Sequence, residues 1–138
     1  MPIIIVIAGA ARHVGKTTVL RQLASLLENS VSLKLGKSTE SDKNKPEWFL
    51  PKETMIEDIL QLPQVKLAQY LLIESTSILL TFTPDLAIFV EGSSQDRKSY
   101  ADEVKAKCDV VVRAGDNLTA LFASILAGTS APLSDRAQ

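Results

Sequence analysis

The chain has almost none of the residues from which disulfide scaffolds and metal clusters are built. Its 138 residues contain one cysteine, Cys108, and one histidine, His13. No internal disulfide can form, and no zinc cluster can be assembled from Cys and His. Cys108 stands just before an apolar run, the setting of an inert, buried thiol. Neither charge is in excess: 15 Lys and Arg stand against 16 Asp and Glu, a net of -1. That removes any global electrostatic argument for nucleic acid as a partner. No apolar run approaches the roughly 18 residues of a membrane-spanning helix. Pro2 to Ala8 is apolar but short, with no basic segment ahead of it, and reads as a strand rather than a secretory leader. The expectation is a cytoplasmic protein with neither a membrane nor a nucleic-acid partner.

What is present is an ordinary globular balance, 46% hydrophobic and 22% charged, in a chain of a length that suits one domain spanning residues 1–138. Ile3 to Ile7 is a β-branched run of the kind buried on both faces of a parallel sheet. Val19, Leu20, Leu23, Leu26 and Leu27 then recur at helical spacing, up to Asn29 and Ser30. Val31 to Leu35 alternates apolar and polar residues and predicts a strand nearer an edge. Gly36 to Glu47 is polar and without period. A helix is predicted from about Lys52 to Leu62, with Met55, Ile56, Ile59 and Leu60 on one face and Pro63 as its stop. Tyr70 to Ile73 is a third strand ending at Glu74. Ser75 to Thr83 is a short connection with room for a helical turn or two. Leu86 to Val90 is a fourth strand ending at Glu91 and Gly92. Ser99 to Lys107 carries helical signals, Asp109 to Val112 gives a fifth strand, and Leu118, Leu121, Phe122, Ile125 and Leu126 fit a last helix face. Such alternation predicts a three-layer α/β fold with a mostly parallel sheet of about five strands flanked by helices.

The most informative stretch is Gly9-Ala10-Ala11-Arg12-His13-Val14-Gly15-Lys16-Thr17-Thr18, between the first strand and the first helix. It follows the phosphate-loop pattern G-x-x-x-x-G-K-[ST], with Ala10 at the first glycine position and Gly9 one residue earlier. The chemistry accounts for the residue types. Backbone N–H groups of the loop and helix start face phosphate oxygens. Gly15 lets the main chain approach without a Cβ. Lys16 brings a mobile positive charge to the outer phosphates, and the Thr17 hydroxyl suits the octahedral shell of Mg2+. Ala10, Ala11, Arg12, His13, Val14, Gly15, Lys16, Thr17 and Thr18 are therefore the expected binding residues for a nucleoside triphosphate. Arg12 and His13 lie in the variable part of the loop, where solvent, phosphate and a partner subunit are all open to them. Arg12 is also the arginine best placed to act as a charge-stabilising finger.

Phosphoryl-transfer sites of this kind need a carboxylate opposite the loop, usually at the C-terminal end of a buried strand. Glu74 and Glu91 both answer to that, so Thr17, Glu74 and Glu91 are the candidate metal ligands, with Lys16 and Glu74 the expected catalytic pair. Asp42, in the polar segment, is a further candidate for approach to the metal. Lys37, Lys43 and Lys45 suit either phosphate contact or a solvated face. Trp48 and Phe49 anchor that segment to the core, or else stack on a base or meet a partner. The base is open between ATP and GTP, because Arg113 to Asn117 holds no Asn-Lys-x-Asp motif.

The adjacent Gly15-Lys16-Thr17-Thr18, the strand ending Ile73-Glu74-Ser75 and the small size resemble the SIMIBI class of P-loop proteins. Within it, the chain is most similar to the molybdopterin-guanine dinucleotide biosynthesis adaptor (MobB) family. Leu33-Lys34-Leu35-Gly36-Lys37 stands at that family's lysine turn, and Glu74 or Glu91-Gly92 at its acidic strand end. The turn after the second strand lacks the family's histidines. The resemblance spans roughly residues 1–92. It implies a P-loop NTPase fold, GTP rather than ATP, and a weak nucleotide hydrolase that works as a homodimer or with a protein partner. A small-molecule phosphotransferase and a non-hydrolysing nucleotide-binding adaptor are the other two readings. Only Arg97 and Lys98 offer a basic pair for a kinase lid.

Overall fold

The structure is a computed structural model that describes residues 2–10, 15–36, 48–92, 99–113 and 116–120, with Ala123 and Ala127. The elements are β1 (Ile3–Gly9), α1 (Lys16–Leu26), β2 (Ser30–Leu35), β3 (Trp48–Leu50), α2 (Ile56–Leu60), α3 (Pro63–Leu67), β4 (Tyr70–Glu74), a 3-10 turn (Ser77–Leu80), β5 (Leu86–Glu91), α4 (Ala101–Lys107) and β6 (Val110–Arg113). Six strands form one sheet in the order β3-β2-β4-β1-β5-β6. Every neighbouring pair is parallel. The fold is α/β in three layers, as the alternating pattern predicted.

The burial of each strand follows its place. β4 is buried throughout and β1 beyond its first residue, and their sequences are accordingly continuous apolar runs. β2 has only the three-residue β3 on its outer side and keeps the alternation seen in its sequence. β6 closes the other edge, with Val111 exposed and Val112 buried.

Two cores lie on the two faces of the sheet. On one face Ile5, Ile7, Leu72 and Ile88 pack against Val19, Leu20 and Leu23 of α1, and Leu118 joins them. On the other, Ile4, Val6, Ile73 and Phe89 pack against Ile59 of α2, Val65 of α3, Leu79 and Val104 of α4. The β1–α1–β2 crossover steps toward one edge and β5–α4–β6 toward the other. Crossovers of one handedness therefore place α1 and α4 on opposite faces, which is where the two cores have them.

Three elements differ from the sequence expectation. The segment Lys52 to Leu62 is not one helix. Residues 52–55 precede the helix, and α2 covers only Ile56–Leu60. Pro63 does more than stop it: with its fixed φ and missing N–H it stands in the first turn of a further short helix, α3. The sixth strand is Trp48–Leu50, where two aromatics and a leucine pair with Leu33, Lys34 and Leu35. Gly36, at a φ of 138°, extends this pairing by donating its N–H to the Leu50 carbonyl at 2.9 Å. The first helix also ends earlier than expected, at Leu26, and Asn29 turns the chain into β2 at a φ of 57°.

Candidate functional site

β1 sends its chain to the α1 face, while its neighbours β4 and β5 send theirs to the opposite face. A parallel sheet opens a crevice beyond its strand ends at such a point, and ligands of α/β proteins bind there. Gly15, Lys16, Thr17 and Glu74 sit at this crevice.

Gly15 precedes α1 with φ 103° and ψ 20°, a left-handed conformation that a Cβ disfavours. Its carbonyl accepts the Val19 N–H at 3.0 Å, which closes the first helical turn. No side chain caps α1, and its first turn carries no acid. The first turns of α2 and α4, by contrast, each hold two acidic residues. The partial positive charge at the start of α1 is thus met by no acidic residue of its own first turn. Lys16 and Thr17 are half-buried there and Thr18 is exposed.

Ala10, at the motif's first glycine position, is 2% exposed and places its methyl in the core on the α4 side. Its N–H donates to the Val90 carbonyl at 3.2 Å, so the pairing of β1 with β5 runs one residue past the strand. Just before it, the Gly9 N–H donates to the Thr76 hydroxyl oxygen at 3.1 Å, and that hydroxyl lies 3.2 Å from the Gly9 carbonyl. Thr76 is 2% exposed. It pins the last residue of β1 at the point where the loop departs. Ala11, Arg12, His13 and Val14 lie outside the described residues, as do Lys37, Asp42, Lys43, Lys45, Arg97 and Lys98.

The two acidic strand ends part company. Glu74 follows Tyr70 and Leu72 in alternation and so faces α1. Its carboxylate, 4% exposed, accepts the Thr17 hydroxyl at Oε1, 2.8 Å away. Its Oε2 lies 3.6 Å from the Lys34 ammonium. Lys34 is opposite Glu74 in the β2–β4 register, and its Nζ stands 5.9 Å from the centre of the Phe49 ring. Glu91 follows Ala87 and Phe89 and so faces the other side. There its Oε2 meets the Lys105 ammonium at 2.9 Å, and its Oε1 takes the N–H of Gly92 at 3.3 Å. The structure thus brings Glu74 to Thr17 and points Glu91 away, toward α4.

Thr17 and Glu74 are two hard oxygen donors meeting where a strand ends and a helix begins. That donor set suits Mg2+, which takes few protein ligands and fills its octahedron with phosphate and water. Among the described residues no group of three or more His, Cys, Asp or Glu side chains forms a cation cage. A recess of about 440 Å³ lined by Leu79, Phe82, Pro84 and Lys107 lies toward the start of β5, away from the Thr17–Glu74 contact.

Sequence reasoning missed Lys34 as a partner of Glu74 and missed Thr76. Lys34 had a signal: in Val31 to Leu35 it alternates with Leu33 and Leu35, so it faces away from their core. Thr76 had none, because its role depends on β1 and β4 being neighbours. No family model, no curated protein and no solved structure matches the chain. No helix among the described residues is long and apolar enough to cross a membrane.

Proposed function

We propose that the chain is a magnesium-dependent P-loop protein that binds a nucleoside triphosphate at the C-terminal end of β1 and hydrolyses it slowly. The observation that carries this reading is the 2.8 Å hydrogen bond between Thr17 and the buried Glu74. It joins the Gly-Lys-Thr motif to the acidic strand end that such a motif requires. The uncapped start of α1 behind a left-handed Gly15 adds N–H groups for phosphate oxygens.

In this reading the start of α1 and Lys16 hold the β- and γ-phosphates, and Thr17 and Glu74 hold Mg2+. The metal supplies positive charge where negative charge develops on the transferring phosphoryl group. Glu74 accepts a hydrogen bond from the Thr17 hydroxyl, which fixes the hydroxyl oxygen next to the carboxylate. Glu74 would hold the metal and Glu91 is paired with Lys105, so neither strand-end carboxylate would accept a proton from an attacking water. Among the described residues this suits slow turnover without a partner. This favours a switch or adaptor over a fast enzyme, in line with the MobB resemblance, which also favours GTP over ATP.

Thermal unfolding with GTP and with ATP, each with and without Mg2+, tests the reading. Wild type should be stabilised by at least one nucleotide and more strongly with Mg2+, while Lys16→Ala should show no shift. Phosphate release without an added acceptor then separates a hydrolase from a phosphotransferase. A wild type that neither nucleotide stabilises would overturn the reading.

A further inference from the structure

A carboxylate as buried as Glu74 is costly to leave ionised without a nearby positive charge. Its side chain is 5% exposed, and among the described residues Lys34, whose own side chain is 24% exposed, forms an ion pair with it. The two carboxylate oxygens are divided: Thr17 holds Oε1 and Lys34 stands by Oε2. We propose that Lys34 is the resident counter-ion of the magnesium site, neutralising Glu74 when the site is empty and turning to the terminal phosphate when Mg2+–nucleotide arrives. This inference rests on the nucleotide reading above.

The geometry favours a mobile partner over a fixed structural bridge. The Nζ–Oε2 separation is 3.6 Å, longer than the roughly 2.7–2.9 Å of a tight charge-assisted hydrogen bond. Lysine presents a point charge on a flexible stem, where arginine would lock on as a planar fork. Phe49, beside Lys34 on β3, gives the ammonium an aromatic neighbour at 5.9 Å. The register fixes the Lys34 backbone opposite Glu74, so the ammonium moves only as far as its stem allows. A divalent cation bound between Thr17 and Glu74 takes over the charge that Lys34 supplies and repels it. The terminal phosphate would then supply the anion that Lys34 pairs with. A diphosphate offers no such partner, so Lys34 also distinguishes triphosphate from diphosphate.

Two measurements test this in the full chain. The first is the melting temperature of nucleotide-free protein with and without millimolar Mg2+. Lys34→Met should melt below wild type, because Glu74 loses a paired cation, and Mg2+ alone should restore it. Wild type should respond little to Mg2+ alone. The second is a Mg2+ titration of fluorescent triphosphate and diphosphate binding. In Lys34→Met the Mg2+ midpoint should fall by about ten-fold, the effect of one partly buried charge pair, and the preference for triphosphate should shrink by a similar factor. A Lys34→Met protein that Mg2+ does not restore, or a midpoint unchanged or raised, overturns the proposal. If Lys34→Met does not fold, the double variant Lys34→Met with Glu74→Gln removes both charges. It should fold and bind nucleotide without any dependence on Mg2+, and persistent dependence would count against the proposal. A wild type that binds no nucleotide defeats the nucleotide reading, whereas the Mg2+ response of nucleotide-free Lys34→Met bears on the counter-ion alone.

Discussion

Individual residues at the site were legible in the sequence when local chemistry decided them. Gly15, Lys16 and Thr17 were found because a strand, a motif and a helix occur in that order along the chain. The choice between Glu74 and Glu91 was not legible, since both end a buried apolar strand. Side-chain alternation in the sheet separates them: Glu74 shares a face with Leu72 and α1, where it meets Thr17, and Glu91 shares one with Phe89 and α4. Cys108 was expected to be inert, and its surroundings agree. It is half-buried, and its thiol is pushed up from 9.0 to about 11, first by burial and then by the charge of Asp109. The folded chain therefore keeps this proton at pH values where the unfolded chain has lost it. The stability it contributes is complete below about pH 9 and is lost as the pH rises to about 11. Alkylation of the native protein by iodoacetamide should be slow at neutral pH, and its rate should climb with a midpoint well above 9.0. A midpoint at or below that value would show a more exposed, activated thiol.

At the scale of elements, strand register depends on a device used twice. Asp85, just before β5, donates its N–H to the Ile4 carbonyl at 3.0 Å and accepts the Ile4 N–H on Oδ2 at 2.8 Å. Asp109, just before β6, does the same with Ala87, at 2.8 Å in both contacts. Each aspartate thus starts a new strand in fixed register against the strand beside it. Asp85→Ala should cost about 1–3 kcal/mol, because the Ile4 N–H, on a residue 4% exposed, loses its acceptor. Chemical denaturation should show a lower midpoint with an unchanged slope, and Asp85→Asn should recover much of the loss through its carbonyl oxygen. A loss below about 0.5 kcal/mol, the lower end of an ordinary hydrogen bond, would mean that register is set elsewhere. Asp109 was visible in the sequence as the start of a strand, but neither its partner nor that of Asp85 was, since pairing is set by sheet order. The expected helix from Lys52 to Leu62 failed for a related reason. Its apolar face was read correctly at Ile56, Ile59 and Leu60 but not at Met55, which precedes the helix and is exposed, and periodicity alone did not show that the helix starts only at Ile56 or that Pro63 opens a second one. The strand at Trp48–Leu50 is too short to carry a period and exists because β2 offers it an open edge.

For the whole molecule, the order β3-β2-β4-β1-β5-β6 is what turns scattered motifs into a site. β4 lies beside β1 although their first residues, Ile3 and Tyr70, which are partners in the register, stand 67 apart in sequence. That neighbourhood carries Glu74 to the start of α1, and the β2–β4 pairing carries Lys34 to Glu74. The alternation of strands and helices was enough to expect three layers and a parallel sheet. The strand order was not readable, because continuous apolar runs such as β1, β4 and β5 are alike in being buried on both sides. The central claim is that Thr17 and Glu74 form one magnesium site under a nucleotide held by Lys16. It is tested most directly by calorimetric titration of wild type, Lys16→Ala and Glu74→Gln with the stabilising nucleotide, with and without Mg2+. Wild type should bind more tightly with Mg2+, Lys16→Ala should not bind, and Glu74→Gln should bind equally with and without the metal. Full Mg2+ enhancement retained in Glu74→Gln, or wild-type affinity in Lys16→Ala, would contradict the account.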